Sequence, residues 1–493
     1  MKSEVTVGKC HLKGTQLESG ILVFKNIPFA TAERWCAPEA VELPEGVYEP
    51  HEFGPAPIQP PPSPFWAERN HEPADFPQSE HCLSLNVWTA DVSIPKKAVL
   101  FWVYGGSYIQ GYNYRKSNNP EQFVKAHPEL LVVAPNYRVG ILGSLNLSVL
   151  QAPDSYRFSN NLALLDIVEA LRWTQKNIAA FGGDPGRVTM YGHSAGSNAI
   201  SHLMAMPAAR GLFLRTICQS SYMADLGTVA LDTSEEIACK FLELAGADTL
   251  EAALALTPEQ ILAAQGRLFG FHFGGSHASK MFSPVADGLV VDKEPFRHFV
   301  DGTFNGEQVM IGGSQGEYDQ MFLKKDLEET RKFVIDRNAD KHVTAEQEQA
   351  FIALHPEMTE KEALMTIHNE LGLSLGGEWI GRACSVHVPV YEYAFCLRDP
   401  QEGWRALHGA PCHYVFGVNI PEGAPAGLQE AMMDTWAAFI ETGDPNHSGI
   451  PTWAKYVPDG GVMRIDTEWK LTDGYWKEDF AFWKETFTEN KWM

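Results

Sequence analysis

Val188-Thr189-Met190-Tyr191-Gly192-His193-Ser194-Ala195-Gly196 runs an apolar segment into Gly-x-Ser-x-Gly, and residues 197–206 behind it carry a helical pattern. Glycines at 192 and 196 let strand and helix pass close together around a serine held on a sharp turn. Such a turn lifts a hydroxyl clear of a sheet and points a helix N-terminus at the atom it attacks. Ser194 is thereby a candidate covalent nucleophile. That reading sets three requirements: a base histidine downstream, an acid to orient it, and donors for an oxyanion. Five residues of pattern can arise by chance in a chain of 493, so the surroundings decide.

Outward from this turn, strand-like runs at residues 83–88, 98–103, 130–135 and 188–191 alternate with an amphipathic helix over 161–180. Alternation of this kind predicts an α/β protein, with a large, mostly parallel sheet flanked by helices. Residues 20–30 read as a strand and turn, and residues 216–219, 308–313 and 388–395 as later strands. Residues 428–442 read as a closing helix, and 234–270 and 326–383 as helical insertions. No repeat or low-complexity linker divides the chain, which predicts one domain over residues 1–493.

A net charge of −23, from 39 basic and 62 acidic residues, disfavours nucleic acid and anionic membrane surfaces as partners. Met1-Lys2-Ser3-Glu4-Val5 opens no apolar signal region, and no apolar run approaches the ~18 residues of a membrane span. Glu489-Asn490-Lys491-Trp492-Met493 carries no lipidation or retention pattern. A cytoplasmic protein without membrane anchor, monomeric or weakly self-associating, is the expectation. Eight cysteines show neither a Cys-x-x-Cys pair nor metal-like spacing and read as small buried apolar residues.

Three segments answer the requirements set by Ser194. Tyr104-Gly105-Gly106-Ser107 follows the strand at 98–103, where a glycine pair lets backbone N–H groups turn inward. Gly106 and Ser107 are candidate oxyanion donors, with Ala195, just after the nucleophile, as the third. His408-Gly409 follows the strand at 388–395 and is the candidate base; His413 is a competitor that reads as packed. His193 adjoins the serine, but neighbouring side chains on a tight turn point apart, so buried support is its reading. The strand at 308–313 leads to Glu317 as the candidate acid, with Asp319 as the runner-up.

Taken together these segments resemble the type-B carboxylesterases, which include bacterial para-nitrobenzyl esterases and cholinesterases. Asn26-Ile27-Pro28-Phe29-Ala30, Ser79-Glu80-His81-Cys82-Leu83-Ser84-Leu85-Asn86-Val87 and Asn136-Tyr137-Arg138-Val139-Gly140 are similar to motifs of that family. So are Phe181-Gly182-Gly183-Asp184-Pro185, Pro284-Val285-Ala286-Asp287-Gly288 and Gly443-Asp444-Pro445-Asn446. The resemblance implies an α/β-hydrolase fold and carboxylic-ester hydrolysis through an acyl-enzyme, without metal or other cofactor and with Ser194, Glu317 and His408 as the triad. It also implies Gly106, Ser107 and Ala195 as the oxyanion donors. Departures are His193 where the family has Glu, Pro411 where Glu follows the base, and Ser314 and Tyr318 around the acid. Ile58 stands where secreted members have a cysteine paired with the equivalent of Cys82, which fits a reducing compartment. The cholinesterase aromatic for quaternary ammonium has no match ahead of Ser79, and Trp66 is out of register, which disfavours choline esters.

Gly105, Tyr108 and Phe271 are candidate substrate contacts. Tyr112 and Tyr114, with residues 268–273, add aromatic content that either lines a gorge for acyl or aryl esters or packs in the core. Lactones, thioesters and amides would use the same triad, and a silent binding member of the fold would be expected to have lost it.

Overall fold

Runs that are apolar at every position, rather than alternating, dictate strands buried on both faces. Residues 98–103 of the strand Lys97–Val103 and all of Leu130–Pro135 are such runs, buried throughout, and they lie in the middle of an eleven-stranded sheet. The structure is a computed structural model and describes residues 3–73, 75–221, 227–273, 276–277, 280–338, 343–400 and 403–489. Met1, Lys2 and residues 490–493, read above for terminal patterns, lie outside the described residues.

In chain order the sheet strands are β1 (Thr15–Gln16), β2 (Leu22–Pro28), β3 (Ser84–Thr89), β4 (Lys97–Val103), β5 (Leu130–Pro135) and β6 (Gly183–His193). They continue as β7 (Arg215–Gln219), β8 (Gln308–Ser314), β9 (Val390–Phe395), β10 (Gly461–Ile465) and β11 (Lys470–Asp473). Across the sheet they lie in the order 11-10-9-8-7-6-4-5-3-2-1. The strands from β5 to β10 in that spatial order are parallel, and the outer strands β11, β3, β2 and β1 are antiparallel. The chain therefore has the α/β-hydrolase fold, a mostly parallel sheet flanked by helices.

Four helices matter most for the site: α1 (Leu162–Asn177), α2 (Ala195–Ala205), α3 (Ala410–Phe416) and α4 (Leu428–Thr442). Arg138 grips the buried Asp166 of α1 through Nε and Nη2 at 2.9 and 2.7 Å, fixing that helix to the loop after β5. The insertions resolve into separate helices with local reasons to start where they do. Thr257–Gln260, Asp326–Glu329, Thr344–Gln347 and Thr359–Glu362 each form a reciprocal capping box. β6 begins at Gly183, five residues before the expected strand, and its register breaks between Gly183 and Val188. Pro185 in that stretch has no N–H to give a ladder, which hid the extension from pattern reading. The main apolar core is one cluster reaching from Val5 to Trp483, and a small second cluster joins Ala56, Phe76 and Tyr112.

Candidate active site

β6 ends at His193 and α2 begins at Ala195, so Ser194 alone makes the reversal, at φ 58° and ψ −125°. For a residue bearing a Cβ this conformation costs on the order of 1–3 kcal/mol and needs support from its surroundings. The support comes from both sides. Ser194 N donates to Gln219 O at the end of β7 (3.0 Å), and Asn198 N of α2 donates to Ser194 O (2.9 Å). A Cβ at Gly196 would stand 2.1 Å from Val103 O, so only glycine lets α2 start this close to β4.

The loop after β4 presses on the same turn. A Cβ on Gly105 would lie 2.5 Å from His193 O and 2.9 Å from Ser194 Cβ. Gly106, Ser107 and Tyr108 then follow with φ of 131°, 56° and 55°, a reversal tied down where Ile109 N and Gln110 N donate to Gly106 O. Gly105, Gly106 and Ser107 line one cleft with Ser194, and Ala195 is buried at the first position of α2.

Glu317 follows β8 and is wholly buried. Ser314 N (2.7 Å) and Ser220 Oγ (2.6 Å) donate to its Oε1, while Oε2 lies 2.5 Å from His408 Nδ1. A parallel bridge between Gly316 and Leu407 holds the two loops side by side, with Gly316 N donating to Ala406 O. A carboxylate at Nδ1 holds the proton there and leaves Nε2 as the basic nitrogen. His408 lines the cleft with Ser194. Asp319 is engaged elsewhere: Arg405 donates to it at 2.7 and 2.8 Å, and Asn369 at 2.9 Å.

His193 also reaches the cleft. Its ring centroid is 4.4 Å from that of His408, and its Nε2 is buried with no hydrogen-bond partner among the described residues. Burial, reinforced by His408, His413 and Arg115, pushes this imidazole well below its ordinary range, so it is neutral. His413 is buried in α3, and burial pushes it down to about 4. Tyr318 stacks on His408 at 6.0 Å.

The cleft encloses about 240 Å³. Two of the expected substrate contacts lie away from its lining. Tyr108 is turned into the core, where its hydroxyl donates to Asn198 Oδ1 at 2.8 Å. Phe271 is 37% exposed, with Lys240 Nζ 4.6 Å over its ring. Tyr112 and Tyr114 stack with Phe76 and Phe53 instead of lining the cleft. Aromatic content says nothing about which way a ring points, and here the rings build the wall from behind. The lining mixes polar side chains, Arg115, Lys280, Arg337, Glu72 and Gln320, with Tyr318, Met321 and Pro62. Ser220 went unread because its contact with Glu317 joins residues 97 apart, with no local pattern to mark it.

The model of the carboxylesterase family matches residues 2–483. The chain belongs to the carboxylesterase family. It is 28% identical to the para-nitrobenzyl esterase of Bacillus subtilis, over 92% of each chain, and 27% identical to the phenmedipham hydrolase of Pseudarthrobacter oxydans, again over 92% of each. Its structure aligns with the Geobacillus stearothermophilus carboxylesterase EST55 at a TM-score of 0.85 and 27% identity, over 98% of this chain and 100% of that one. A para-nitrobenzyl esterase structure aligns at a TM-score of 0.81 and 26% identity, over the same shares. This carboxylesterase is by class a carboxylic ester hydrolase. None of its described helices is long and apolar enough to cross a membrane.

Proposed function

We propose that this carboxylesterase cleaves small to medium acyl or aryl esters through an acyl-enzyme on Ser194. Glu317 and His408 complete the triad, and the N–H groups of Gly106, Ser107 and Ala195 form the oxyanion hole. The observation carrying this reading is the chain of contacts from Ser314 and Ser220 through Glu317 to His408, which shares a cleft with Ser194. His408 Nε2 takes the hydroxyl proton as Ser194 Oγ bonds to the ester carbonyl carbon, and the carbonyl oxygen takes the negative charge. Collapse of that adduct breaks the bond to the alcohol oxygen, which leaves with the proton from His408. Water then gives a proton to His408, attacks the acyl-serine and releases the acid, and the proton returns to Ser194. Glu317 stabilises the imidazolium at each stage and keeps its own charge. Three successive positive-φ residues beside a helix N-terminus support the oxyanion role, because such backbone concavities receive negative charge.

One catalytic domain spanning residues 1–493 is part of this reading, supported by the continuous core. So is a cytoplasmic location, supported by eight free cysteines and by Ile58 in place of a partner for Cys82. The test is hydrolysis of 4-nitrophenyl acetate and butyrate, with mass-spectrometric location of a fluorophosphonate label. Ser194→Ala and His408→Ala should each lose on the order of 10³-fold or more in kcat, and the label should sit on Ser194. Equal rates in wild type and Ser194→Ala would overturn the assignment.

A further inference from the structure

Three cationic side chains, Arg115, Lys280 and Arg337, line the cleft that holds Ser194 and His408, against one carboxylate, Glu72. The contrast with the whole chain is sharp, since that carries a net charge of −23. Nor does Glu72 neutralise the cations by contact. Tyr112 Oη donates to one of its oxygens (2.5 Å), and Ser117 Oγ donates to the other (2.9 Å).

Arg115 is the telling member of the set. Among the described residues it forms no ion pair, and its Nε is buried without a hydrogen-bond partner. Its guanidinium instead lies 5.5 Å from the Tyr112 ring, a contact that fixes the plane of the group and uses none of its donors. A guanidinium lining a cleft with a buried, unused N–H is unfavourable unless something outside the chain takes it up. The planar fork of an arginine matches a carboxylate, with two parallel N–H···O bonds. Arg115 lines the same cleft as His193 and Ser194, so a group held by it shares that cleft with the ester.

We infer that the substrate of this carboxylesterase is an ester carrying a second, free carboxylate, on its acyl or its alcohol side, which Arg115 binds with Arg337 and Lys280 adding charge. The inference rests on the Ser194 reading above and names its substrate class. Neutral esters enter the same cleft but leave the buried Nε of Arg115 without a partner.

Two matched pairs test it: mono(4-nitrophenyl) adipate against 4-nitrophenyl hexanoate for an acyl-side carboxylate, and 4-carboxyphenyl butyrate against phenyl butyrate for an alcohol-side one. In one pair the wild type should favour the anionic ester in kcat/KM. Arg115→Gln should cut that preference about 10- to 100-fold, the cost of one charge-assisted contact, and Arg115→Lys should fall between. A measurement on the wild type alone guards against a variant that fails to fold. Raising NaCl from roughly 0.05 to 1 M should lower kcat/KM for the anionic ester and spare its neutral partner. A wild type that hydrolyses neutral esters with no anionic preference in either pair and no salt effect overturns the inference and leaves ester hydrolysis standing. Absence of Ser194-dependent hydrolysis of any of the four esters overturns the reading beneath it.

Discussion

At the scale of single residues, the proposed acid is the point where sequence left two answers, and their contacts differ. Glu317 touches His408, whereas Asp319 is held by Arg405 and Asn369. Glu317→Gln should therefore lower kcat by more than Asp319→Asn, measured on 4-nitrophenyl butyrate at matched folded fraction. Ser220 is the untried partner in this arrangement. Removing its hydroxyl leaves Glu317 Oε1 with only the Ser314 amide, and a hydrogen bond to a charged group contributes about 1.5–3 kcal/mol. Ser220→Ala should cost at least tenfold in kcat with KM little changed, and its pH–rate profile should shift; an unaltered profile would make the contact structural only. Ser194 and His408 were legible from short local patterns at strand ends. Ser220 and Arg115 were not, because their significance lies in what faces them across the fold.

At the scale of elements, α1 is fixed by one buried ion pair as much as by its apolar face. Asp166 is fully buried and accepts from Arg138 N as well as from the guanidinium. Cutting such a pair on one side leaves an uncompensated charge, a loss of about 3–5 kcal/mol. Asp166→Leu should lower the unfolding free energy by that much, and Arg138→Met,Asp166→Leu together by less, which chemical unfolding would measure. The glycine at the start of α2 makes a second element-level test. With Val103 O 2.1 Å from a Cβ at Gly196, Gly196→Ala should push α2 off β4 and lower both midpoint and activity. Strands β4, β5 and β8 and helix α4 were readable in sequence because continuous burial or a clear helical period marks them. β10 and β11 were not, being short and carrying a mixed pattern at the sheet edge.

At the scale of the whole molecule, buried histidines tie stability to pH. Burial pushes His202 and His413 down to about 4 and His193 well below its ordinary value. The unfolded chain takes up these protons near pH 6.5 while the folded chain does not. Their contribution is therefore present above about pH 6.5 and is lost as pH falls toward 4, by on the order of 3 kcal/mol for His202. Glu370 and Glu392, pushed up by burial and by the carboxylates of Asp479 and Glu378, act in the opposite sense. Their contribution is present below the ordinary carboxylate range and is lost as pH rises. Thermal unfolding from neutral pH toward about pH 4 isolates the histidine share: His202→Gln should lose less of its midpoint over that range than the wild type, or gain more; an identical pH dependence would remove His202 from the account.

Sequence alone determined the α/β alternation, the turn that carries Ser194 and the proposed order of Ser194, Glu317 and His408 along the chain. Each of these is written in local periodicity or in glycines whose missing side chains the backbone needs. Only the tertiary structure decided which carboxylate meets His408, that His193 lies against it, and that Arg115, Lys280 and Arg337 line the cleft while Tyr108 and Phe271 do not. Those outcomes depend on which way side chains point once distant strands share one sheet. A linear pattern holds no record of that direction.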